Sequence, residues 1–270
     1  MADAPFTLPE GDPVSLPAPT VGRERPWWGL GDVWLGVPFI VIIAIAGTVL
    51  GLPFVDFGEF REWLSSGEGE MPLALLVASL LAQQFGQGGW PILVSMWKGR
   101  GPVADWRLNI KLVDPLIGLG AAAIAVGGAG VVSAIMATLV DLGDETADNT
   151  QFLRDAEGSP WLYVLVFSVV IGAPLAEELF FRGLILRAFE KRAGPVVAVI
   201  GSTILFTLPH WTGAGLAPTV VLLSAIAVVG VVLATVTVKV GRLWPAIFAH
   251  MAFNSIGAAE AVGLFERAAV

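Results

Sequence analysis

The sequence predicts an all-α protein built as a polytopic transmembrane helix bundle, and three observations carry that prediction. Hydrophobic residues make up 56% of the 270-residue chain, charged residues 14%, and mean hydropathy is +0.78. That is too apolar for an ordinary soluble domain. About seven apolar segments, with six to eight admissible, are each long enough to cross most or all of a ~30 Å hydrocarbon layer at about 1.5 Å per residue. The polar linkers between them also alternate in charge. With the amino terminus in the cytoplasm, the inner segments collect Arg23, Arg25, Lys98, Arg100, Arg107, Lys111, Arg187, Lys191, Arg192, Lys239 and Arg242, 11 of the 15 basic residues. The positive-inside rule predicts this bias, and it places the chain in the cell membrane as a multi-pass protein.

Residues 1–34 are polar and rich in proline, and they lack the basic start and apolar core of a cleaved signal peptide. They read as a disordered cytoplasmic tail. The first span covers 35–55 and is followed by an acidic linker with Asp56, Glu59, Glu62, Glu68 and Glu70. The second, about 71–97, contains Gln83, Gln84 and Gln87, whose amides need partners in lipid and should face the bundle or a wet cavity. The third, 115–140, is rich in Ala, Gly and Val, with Gly120, Gly127 and Gly130 expected to allow close helix contact. Residues 35–160 thus form a three-span prefix.

A fourth span begins near Trp161 and carries Glu177-Glu178-Leu179-Phe180-Phe181-Arg182 towards its far end. A fifth runs from Pro195 to His210, a sixth from Pro218 to Val238, and a seventh over 243–264 with His250 and Asn254. Residues 161–264 therefore hold the candidate functional core, and 265–270 form a short tail. Between the fifth and sixth spans, residues 211–217 read as a loop or a re-entrant break. Trp27, Trp28, Trp34, Trp97, Trp161, Trp211 and Trp244 lie near span ends, where tryptophan anchors helices at the interface. The absence of cysteine excludes disulfides and thiolate metal sites, and no basic, aromatic arrangement suggests nucleic-acid binding.

Ionisable groups inside lipid are costly and mark sites by default. Here they fall only on the fourth, fifth and seventh spans, and both histidines of the chain are among them. Glu178 and Arg182 are four apart and share a helix face, which suits a supporting ion pair. Glu177 is rotated by about 100° from Glu178 in a 3.6-residue helix and is the better candidate for a reactive carboxylate. His250 and Asn254, also four apart, project side by side. A desolvated Glu177 can act as general base on a water that His210 helps to hold, while His250 and Asn254 donate to the oxyanion of an acyl intermediate. The competing chemistry uses Glu177, His210 and His250 as zinc ligands, although the compact HExxH helix is missing.

At these residues the chain resembles the CPBP family, the CAAX-protease and bacteriocin-processing group of intramembrane endopeptidases that includes the type II CAAX prenyl endopeptidases. The pattern EExxxR, FxxxH, HxxxN reads here as Glu177-Glu178 to Arg182, Phe206 to His210, and His250 to Asn254. The resemblance spans about 161–264. It implies an endopeptidase acting on a membrane-associated peptide or protein, with Glu177 as base, His210 as its water-holding partner, His250 and Asn254 at the oxyanion, and Glu178 with Arg182 in support. It implies no obligatory cofactor, with zinc as the alternative. A non-catalytic membrane scaffold or immunity-type protein that keeps the polar cluster for folding is the contrasting expectation, and proton or ion transport through Glu177 is a third.

Overall fold

The computed structural model describes residues 27–66, 71–140 and 147–264, and every regular element among them is helical. Helix α1 (Leu30–Gly51) runs on through a 3-10 turn to Phe54 and packs along α3 (Leu73–Lys98). The two are antiparallel, since Gly36 meets Trp90 while Gly47 meets Ala82 and Ala78. The short α2 (Phe57–Ser66) and α4 (Pro102–Trp106) flank α3 in the chain, and α5 (Asp114–Leu139) follows.

After α6 (Gln151–Asp155), one helical run extends over Trp161–His210. It comprises α7 (Trp161–Phe167), a π-helical turn at Ser168–Gly172, α8 (Ala173–Glu177), a wider π-helical stretch at Glu178–Ile185, α9 (Leu186–Thr207) and a closing 3-10 turn, Leu208–His210. The run is not straight. Gly194 adopts φ 83°, ψ 176°, a conformation open to glycine, and Pro195 follows it. The chain doubles back there, because Ser202 donates to the Phe181 carbonyl at 3.1 Å across 21 residues that a straight helix would stretch to about 30 Å.

Helices α10 (Leu216–Val240) and α11 (Trp244–Ala261) complete the bundle and both pack on α5. The rod of α7, α8 and the π-helical segments lies between α3 on one side and α11 on the other. At one end, Arg242 pairs with the buried Asp114, fastening the start of α5 to the α10–α11 connection. That hydrogen bond holds the Arg242 guanidinium above its ordinary pKa.

This is a membrane helical bundle. Among the described residues, four runs are both long and apolar enough to cross a membrane: Leu30–Phe54, Asp114–Leu139, Trp161–His210 and Leu216–Val240. The expected second span coincides with α3, whose glutamines dilute its apolar character, and the seventh with the 18-residue α11. The fourth and fifth share the single run broken at Gly194.

Several local expectations need correction. The tail was expected to reach residue 34, yet α1 starts at Leu30; Asp32 is buried and bonded to Lys98 at 2.5 Å. Residues 1–26 and 265–270 lie outside the described residues. Trp28 is not an interfacial anchor but part of the core with Val94, Phe181 and Leu184, whereas Trp27, Trp34, Trp97 and Trp211 are exposed. On α5, the glycines at 120, 127 and 130 meet no neighbour. The buried stripe is Gly118, Ala121, Ala122, Ala125 and Ala129, at three- and four-residue spacing, and it puts those glycines on other faces. A methyl group at Gly118 would come within 2.5 Å of Phe248 and 3.0 Å of the Pro245 carbonyl, so this is where α5 and α11 approach.

Candidate active site

The wide helical stretch that begins at Glu178 follows directly on α8, which ends at Glu177. The step between the two is itself regular, with φ −69°, ψ −43° at Glu177 and φ −65°, ψ −36° at Glu178, so their side chains diverge by about 100°. Both nonetheless reach one imidazole from α11, one at each ring nitrogen. His250 Nδ1 lies 2.9 Å from Glu178 Oε1, and its Nε2 lies 3.8 Å from Glu177 Oε2.

The two carboxylates differ in their surroundings. The Glu178 side chain has no exposure and also accepts from Arg182 at 2.9 Å on the same oxygen. Arg182, equally buried, donates to the Gly230 carbonyl at 3.3 Å and lies 4.1 Å from the centroid of the Phe206 ring, a cation–π contact. A buried pair of this kind offsets its desolvation only when such additional partners are present. Glu177, by contrast, keeps 18% of its side chain exposed, with Oε2 facing His250 Nε2 across 3.8 Å.

Phe206 links the second histidine to this centre. Its ring centroid is 5.1 Å from that of His210 and 5.7 Å from that of His250, so the two imidazoles flank one ring. His210 Nδ1 donates to the Phe206 carbonyl at 2.9 Å, which leaves Nε2 as the free nitrogen. Leu208–His210 forms a 3-10 turn containing Pro209, and the chain then passes through a short connection to α10 at Leu216. The expected loop between the fifth and sixth spans is therefore brief.

Asn254 stands one turn beyond His250, and its Nδ2 donates to the Val169 carbonyl at 2.8 Å. Val169 belongs to the first π-helical turn, where widened geometry frees carbonyls from regular helical bonding. Gln84 secures the same turn from α3, donating to Ser168 Oγ at 2.7 Å. The structure thus brings Glu177, Glu178, Arg182 and His250 into one cluster, places His210 beside it through Phe206, and ties Asn254 to the backbone of the neighbouring helix. Residues that motif reasoning left out are Ser168, Gly230 and the Val169 carbonyl. Phe206 was visible as the first letter of FxxxH, but nothing in the sequence marked Gly230, whose contribution is a backbone oxygen.

For the zinc alternative, three converging ligands are required. Among the described residues no group of three or more His, Asp or Glu side chains is placed to hold a metal. Glu177 and His250 Nε2 approach each other, and the Nδ1 bonds of His250 and His210 leave both Nε2 atoms available, but His210 does not join the other two as a third ligand. As placed here, Glu177, His210 and His250 do not form a three-ligand group.

Residues 159–256 match the family model described as type II CAAX prenyl endopeptidase Rce1-like. This stretch is a Rce1-like domain. The matched model belongs to the CPBP, or CAAX-protease, family, and every candidate residue from Glu177 to Asn254 lies inside the matched segment. At the level of the family the Rce1-like domain is that of an intramembrane endopeptidase. Neither the curated proteins nor the solved structures contain a match to the chain.

Proposed function

We propose that the chain hydrolyses a peptide bond in a membrane-associated peptide or protein, with Glu177 as general base. The observation that carries this reading is the asymmetry of the two carboxylates about His250. Glu178 is consumed by Arg182 and His250 Nδ1, while Glu177 is partly open and faces His250 Nε2 across 3.8 Å. In this mechanism Glu177 takes a proton from a water held towards His210 Nε2, and the resulting hydroxide attacks the substrate carbonyl. His250, anchored through Nδ1–H on Glu178 and protonated at Nε2, donates to the oxyanion together with Asn254. Collapse of the tetrahedral intermediate breaks the C–N bond, and the proton on Glu177 passes to the leaving amine. No metal takes part. The charge asymmetry of the linkers supports a cytoplasmic amino terminus.

The test compares membrane-peptide profiles of cells carrying the native chain and the Glu177→Ala variant. A peptide or protein that accumulates uncut only in the variant is the expected result, in chelator as in its absence. Identical profiles from two correctly inserted chains would favour a scaffold or immunity-type role, and activity lost to a chelator and restored by zinc would replace the metal-free mechanism.

A further inference from the structure

The rod and α11 run antiparallel, and the carboxylate–imidazole contacts lie between two fastenings that join them. On one side of His250, Asn254 donates to the Val169 carbonyl at 2.8 Å. On the other stands Trp106, from the short helix α4 in the connection between α3 and α5. Its side chain is fully buried, and its indole Nε1 donates at 3.1 Å to the carbonyl of Gly183, the residue after Arg182. Trp106 also packs in one apolar cluster with Leu243 and Ile247, the latter about one turn before His250. It therefore bears on both elements whose separation sets the Glu177–His250 and Glu178–His250 distances.

The connection is built to keep this indole inside. Before it, Asp105 accepts from Ser95 Oγ and from the Arg100 N–H. After it, Arg107 adopts φ 50°, the only positive φ at a non-glycine among the described residues, and such a conformation persists where its surroundings over-determine it. The next carbonyl, that of Leu108, accepts from Trp244 Nε1 at 2.8 Å and ties the connection to the start of α11. Gly183 leaves the space the indole fills, since a methyl group there would come within 3.1 Å of Trp106 Nε1. An interfacial anchor would turn its N–H to headgroups; this one turns it to the rod. We infer that Trp106 is a positioning residue, a spacer between the rod and α11 that holds His250 at its distances from Glu177 and Glu178. The inference rests on the peptidase reading and gives a role to a residue outside the Rce1-like match. Ser202 fastens the rod to α9 through the Phe181 carbonyl, so loss of the spacer frees the rod to shift against α11.

The chain has only two histidines, so isotopic labelling of histidine nitrogen in the full-length chain, purified in detergent without a histidine tag, yields two imidazole spectra. His210→Gln identifies that of His250. Trp106→Phe keeps a ring and loses the N–H, whereas Gly183→Ala keeps the indole and crowds it. Both should shift the His250 Nδ1–H signal. With a fluorescence-quenched, prenylated CAAX-type peptide as probe, both should lower kcat by about 10-fold and leave KM within about twofold, because geometry and not binding is disturbed. Trp90→Phe is the control: it loses an equivalent bond, from the indole to the Asp32 carbonyl at 2.8 Å, and should melt lower with neither change. Should Trp106→Phe fold poorly, Gly183→Ala carries the comparison alone. An unmoved His250 signal, with a melting loss like that of Trp90→Phe, would show a merely structural tryptophan and overturn the inference, as would a native kcat where the native chain cleaves. No cleavage by the native chain counts instead against the peptidase reading, and the imidazole signal then still decides whether Trp106 sets the spacing.

Discussion

Glu177 and Glu178 are neighbours in the chain, on one helix, and both touch His250, yet they occupy different environments. The Glu178 side is closed: one carboxylate oxygen serves both Arg182 and His250, with Phe206 and Gly230 holding the guanidinium. The Glu177 side is open, with partial exposure and a single 3.8 Å approach to an imidazole nitrogen. The difference teaches that a costly charge cluster in a membrane can be divided, one part paired to orient a side chain and the other left open to act on something else.

Removing the guanidinium should break the comparison most severely. Arg182→Met leaves Glu178 buried beside His250 without its cation, and stability should fall by about 3–5 kcal/mol, read as thermal or denaturant unfolding in detergent. If the pair were merely incidental, the melting curve would barely move. Glu177→Gln should sharpen the contrast, since it keeps shape and removes only the base. Proteolysis of the native substrate should drop by about 10²–10⁴-fold while stability changes by less than about 1 kcal/mol. An active Glu177→Gln chain would move the base elsewhere. Asn254→Ala should have the smallest effect on the fold, about 1 kcal/mol for the lost bond to Val169. Its loss of activity should exceed what that destabilisation explains if the amide also serves the oxyanion, a distinction that assays well below the melting temperature can make.

Much of the site was legible from chemistry alone. Ionisable groups cannot be scattered through apolar spans without cost, so Glu177, Glu178, Arg182, His210 and His250 announced themselves by being there. The pairing of Glu178 with Arg182 followed from a four-residue spacing. What spacing left open was which group each carboxylate would meet. Both reach one imidazole of α11, Glu178 at Nδ1 and Glu177 at Nε2, and nothing in the hydropathy pattern marks that partner. The α5 glycines show the same limit: composition promised close contact, but helical phase decided that Gly118 makes it and that Gly120, Gly127 and Gly130 do not.

By itself the sequence determined the all-helical membrane architecture, the placing of most segments and the identity of the polar residues, since these depend on transfer energies and on a period that each segment carries locally. Only the tertiary structure decided that the chain reverses at Gly194 to bring Phe206 between two histidines, that Gly230 lends a carbonyl to Arg182, and that Gln84 is bonded to Ser168. Those outcomes depend on helix phase and on contacts between residues far apart in the chain, where no local pattern can encode which partner arrives.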